Sequence, residues 1–110
     1  MNTPEFQILL STAPDQASAE LLARDLVKLK LAACVNLMPQ VTSIYSWQDK
    51  IEQEQEVLLL IKSKTAKFAA IEDWLDKNHP YDVPELISCN INEVSASYGQ
   101  WLTNSLDTKL

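Results

Sequence analysis

The side chains with chemical reach in this chain are few. One histidine, His79, sits between Asn78 and Pro80 in the stretch KNHPYDVPELISC, and the two cysteines are Cys34 and Cys89. Carboxylates recur at every second position of IEQEQE, as Glu52, Glu54 and Glu56, with Asp49 before them and Asp82 and Glu85 after the histidine. Imidazole and thiolate suit copper, while carboxylates suit harder cations. A lone histidine also serves as a general base, or simply finishes a helix. One histidine per chain does not make a tight copper site, so ligation of that kind would draw on several copies related by symmetry. Spacing of two places the three glutamates on one side of a strand. A solvated strand face looks the same, and solvation is the reading preferred for that set.

Composition excludes several other chemistries. The cysteines are far apart and neither belongs to a CxxC pair, so a disulfide framework, a zinc ribbon and a CxxC copper chaperone are all set aside. A net charge of −6 with a single arginine, Arg24, argues against nucleic acid as a partner. No apolar run approaches the ~18 residues of a membrane span, and MNTPEFQILLST lacks the basic start of a signal peptide. A cytoplasmic chain with no membrane partner is expected.

The elements that must position these residues follow from periodicity. The 110 residues form one domain, 1–110, whose folded surface should be roughly 6,100 Å². Phe6–Ala13 is a dense apolar run ended by Pro14-Asp15, a buried strand leading to a helix start. Over 15–30, Leu22, Leu26 and Leu29 recur at helical spacing with Ala19 and Ala23 beside them. Residues 31–47 are β-branched and aromatic, a strand bent or bulged at Met38-Pro39 because proline cannot donate a ladder bond. The turn QDK returns the chain into Ile51–Lys64, polar at its tip and apolar in VLLLI. A hairpin of that kind leaves the body as a two-stranded arm, which pairs with another subunit or stands in solvent. Thr65–Asn78 is a helix with Phe68, Ile71 and Leu75 as its stripe and Trp74 alongside. Asn78 suits a left-handed C-terminal position and Pro80 prevents continuation. Val83–Val94 alternates as a strand, and Ala96–Leu106 closes the chain as a short helix.

This order specifies an α+β domain on the ferredoxin-like βαββαβ plan, with an antiparallel sheet, a long hairpin between the second and third strands, and a short C-terminal helix. Two helices cover one sheet face, and nothing in the chain is left for the other. Yet Leu58 and Leu60 are as apolar as Val57, Leu59 and Ile61, and strands apolar on both sides need a second layer. Another copy is the economical source.

The plan hosts many functions, so side chains must discriminate. An acylphosphatase-like hydrolase needs a basic phosphate loop after the first strand, where this chain has STAPDQ. An RNA-recognition domain needs aromatic and basic residues on its central strands, which here carry Leu, Val and Glu. A Ser-His-Asp mechanism has one histidine to work with and no nucleophile elbow.

LAACVNLMPQVTSIYSWQDKIEQEQEVLLLIKS, followed by HPYDVPEL and YGQWL, resembles the CutA divalent-cation tolerance proteins. The likeness runs from Ile8 to about Leu106. It rests on Ala32-Ala33-Cys34-Val35-Asn36, Ser43-x-Tyr45-x-Trp47, Glu56, Lys62 and His79-Pro80-Tyr81-x-x-Pro84-Glu85. It implies a tight homotrimer whose long hairpins pair between neighbouring sheets, and an association with copper and other divalent cations. Bacterial members assigned a copper site carry a cysteine where this chain has Ser11 and a His-His pair where it has Asn78-His79, so His79 alone remains of the three presumed metal ligands. Asp49 stands for the usual hairpin glycine, Val94 for a glycine before the last helix, and Gly99 for a leucine. The resemblance implies a non-enzymatic role in copper or divalent-ion homeostasis, with an inter-subunit cleft formed by Trp47, Lys62, His79, Tyr81 and Glu85. The other readings are a PII-like small-molecule sensor or partner-binding module, taking an anionic metabolite through Lys62 with no direct metal site, and a polar network that locks the trimer without a ligand.

Overall fold

Asp15 fixes where the first helix begins. In the computed structural model, which describes residues 4–107, its backbone is extended and its carboxylate accepts the Ser18 amide N–H at 2.7 Å. Hydrogen bonding to Ser18 holds that carboxyl below its ordinary value. The chain runs β1 (Phe6–Ala13), α1 (Gln16–Lys28), β2 (Cys34–Trp47), β3 (Lys50–Lys64), a 3-10 turn (Thr65–Lys67), α2 (Phe68–Asn78), β4 (Ile87–Asn90) and α3 (Ala96–Leu106). Strand order is β2-β3-β1-β4 with every neighbouring pair antiparallel, the α+β arrangement expected from the order of elements.

The end of α1 explains why β2 starts at Cys34 and not at Leu31. Lys30 takes a left-handed φ of 60°, its amide bonds Val27 O at 3.0 Å, and the Leu31 amide bonds Leu26 O at 3.0 Å. This Schellman arrangement satisfies the last carbonyls of the helix. Leu29 becomes the C-cap and faces solvent at 54 % exposure, so the buried stripe is Ala19, Leu22 and Leu26 without it.

Two further sites of positive φ shape the arm. Between Met38↔Leu58 and Val41↔Glu56 the register slips by one residue, and Gln40 adopts φ 60° directly after Pro39. That is a β-bulge at the expected bend. At the tip, Gln48 and Asp49 have φ 50° and 65°, the pair of positive values that a two-residue hairpin matched to strand twist requires. The arm stretches the molecule to 45 × 31 × 23 Å, and its radius of gyration of 14.8 Å exceeds the ~13 Å of a compact chain this long. Its accessible surface is 7399 Å², above the roughly 6,100 Å² of a typical monomer.

The helices cover one face of the sheet. Leu9, Val57, Leu59 and Ile61 pack against Leu22 and Leu26 of α1 and Ile71 and Leu75 of α2, all at most 5 % exposed. Ser63 Oγ donates to Leu31 O at 2.6 Å and Gln7 Nε2 to Lys64 O at 2.7 Å. Ser11 Oγ is buried with no hydrogen-bond partner among the described residues.

The other face differs from expectation at one end. α3 folds beneath it, joining Leu102 and Leu106 to Phe6 and Ala33, with Ile91 packed alongside. Lys64 Nζ reaches Asp107 at 3.1 Å, and Lys62 Nζ lies 5.6 Å from the Tyr98 ring centroid. Above that, Ile8, Leu10, Leu58 and Leu60 are only half-buried.

Two other expectations are corrected. β4 has four residues, Ile87–Asn90, because 83–86, in the loop that follows His79, and 91–94, leading to α3, both lie outside the strand. Asn78 stays within α2 without a left-handed turn, and its Nδ2 donates to Trp74 O at 2.8 Å. His79 instead leaves the helix, with ψ 142°, in the extended conformation that a following proline favours.

Candidate functional site

His79 is fastened at both nitrogens. The Tyr81 amide donates to Nδ1 at 3.0 Å, and Nε2 lies 2.8 Å from Thr12 O. An amide can only donate and a carbonyl can only accept, so the imidazole is neutral with its proton on Nε2. It is 9 % exposed and ties the end of α2 to the end of β1. A metal ion would have to displace one of these bonds to reach either nitrogen.

The same loop closes over the strand acids. Tyr81 Oη donates to Glu56 Oε2 at 2.8 Å, and its ring lies 4.9 Å from that of His79. Burial, then the hydrogen bond to Glu56 and the charges of Glu56 and Glu54, raise the Tyr81 phenol well above its ordinary value. Glu56 is itself 9 % exposed, which corrects the picture of a wholly solvated acidic strand; Glu54 is exposed and Glu52 half-buried. Tyr45 stands across the hairpin from Glu52, and its phenol is also raised, chiefly by hydrogen bonding to Glu54.

Tyr81, Glu56, Glu54, Glu52 and Tyr45 line a cavity of about 780 Å³ that runs along the arm from its root toward its tip. Of the five residues expected to converge, Trp47, Tyr81 and Glu85 line it. His79 braces it from behind. Lys62 stands apart within one chain, four residues along β3 from Leu58, which pairs with Thr12 at the cavity. Residues that sequence reasoning left outside the cleft are Thr12, Tyr45, Glu52, Glu54 and Glu56. The signal for Tyr45 and the glutamates was their alternation on facing strands. Among the described residues no group of three His, Cys, Asp or Glu side chains is placed to hold a metal ion. Ser11, where the resemblance leads one to expect a thiol, is a hard oxygen sealed in the core.

Residues 7–105 match the family model described as CutA1 divalent ion tolerance protein. The chain belongs to this family. It is 46 % identical over 99 residues to the divalent-cation tolerance protein CutA of Yersinia pestis (strain Pestoides F), covering 90 % of this chain and 83 % of that one. The crystal structure of CutA from Xylella fastidiosa is 39 % identical, with a TM-score of 0.90 over 94 % of this chain and 99 % of that one. CutA from Archaeoglobus fulgidus, described as periplasmic, is 30 % identical, with a TM-score of 0.90 over 93 % and 99 % of the two chains. Among the described residues of the present chain, no helix is long and apolar enough to cross a membrane.

Proposed function

We propose that this member of the CutA1 family acts as a non-catalytic homotrimer in cytoplasmic tolerance of divalent cations, copper among them, through binding or sensing. The observation that carries the reading is the uncovered face of the sheet. Leu58, Leu60, Ile8 and Leu10 lie there half-buried, Ile87 is 52 % exposed, and the surface of the chain, 7399 Å², exceeds that of a typical monomer. That excess of roughly 1,300 Å² over a typical monomer is on the scale of what one subunit commits to stable interfaces.

One chain does not offer copper a fitting donor set, since His79 is engaged at both nitrogens and Ser11 and Asn78 are poor copper ligands. The copper part of the proposal therefore places ligation between copies. Copper titration of the wild type beside His79→Ala, with mass measured at low micromolar concentration, tests it. Saturable binding by a trimer that weakens in the variant is expected. A monomer sinks the assembly, and equal binding by both proteins removes His79 from the site.

A second reading, a PII-like sensor taking an anion, is favoured by Lys62. Among the described residues it has no carboxylate at ion-pair distance, only the Tyr98 ring. Thermal stabilisation by anionic metabolites, with none by copper, zinc or nickel, would select it.

A further inference from the structure

We draw no further inference here: the strongest candidate, the acidic cavity between β3 of the arm and the loop after α2, lies on the sheet side that the proposed trimer covers, its Glu56 already takes the Tyr81 hydroxyl, and nothing in the structure shows what fills it.

Discussion

Val57, Leu59 and Ile61 alternate with Leu58 and Leu60 in one apolar run, yet the two sides of β3 meet different surroundings. The first three are at most 5 % exposed beneath α1 and α2, whereas the other two are half-buried beside Met38 at 48 % and Ile87 at 52 %. The helix side is complete within the chain and supplies its stability. The opposite side is finished only at the α3 end, and in the proposed assembly its remaining apolar surface is what a second copy would cover. Hydropathy alone does not separate these roles, because both sides carry the same residue types.

The sharpest way to break this comparison is a pair of substitutions at adjacent positions. Leu59→Ala should lower unfolding free energy by about 2–5 kcal/mol in denaturant titration, since the close-packed helix side cannot refill the void. Leu60→Glu should instead keep the fold by circular dichroism and reduce the mass to that of a monomer. If Leu60→Glu unfolds the chain outright, the two faces do not divide the labour as described.

Tyr81→Phe comes next. It leaves Glu56 buried without its donor and should cost about 1–2 kcal/mol. The folded chain keeps the Tyr81 phenol protonated above the ordinary value of 10.0, where the unfolded chain ionises it. The contribution of this group is therefore whole below pH 10 and is lost as pH rises further. Denaturation followed from pH 7 to 11 should show that decline in the wild type and a flatter profile in Tyr81→Phe.

The smallest effect belongs to the helix side. Lys30→Gly removes a left-handed lysine and should raise stability by about 0.5–1 kcal/mol without altering mass. A change of mass in that variant would blur the separation of the two faces.

Local signals made most of the fold legible. Proline at 39 marked the bulge, Asp15 the helix start, and QDK the hairpin, each through its own backbone chemistry. The misassignments arose where distant contacts decide. Asn78 was assigned the left-handed turn, but His79 leaves the helix extended and bonds Thr12 from 67 residues away. Glu56 is indistinguishable in pattern from Glu54 until Tyr81 folds across it. α3 carries Leu102 and Leu106 at helical spacing, which shows that it packs but not against which face. Within one chain Trp47, Tyr81 and Glu85 share a cavity while Lys62 lies down the strand, because pattern places residues on a face but not at a boundary between copies.

The bulge at Pro39-Gln40 also works as the fulcrum of a lever. Trp47 lies seven residue steps beyond Gln40, a strand of roughly 23 Å. A rotation of about 10° at that one peptide would swing the indole by about 4 Å, while the body stayed still. The direction of the arm, and with it the width of the acidic cavity, thus depends on the backbone at Gln40 together with the stretch of β3 paired across it, Glu56–Leu58. Substitutions at position 40 would re-aim the hairpin without touching a single residue at its tip.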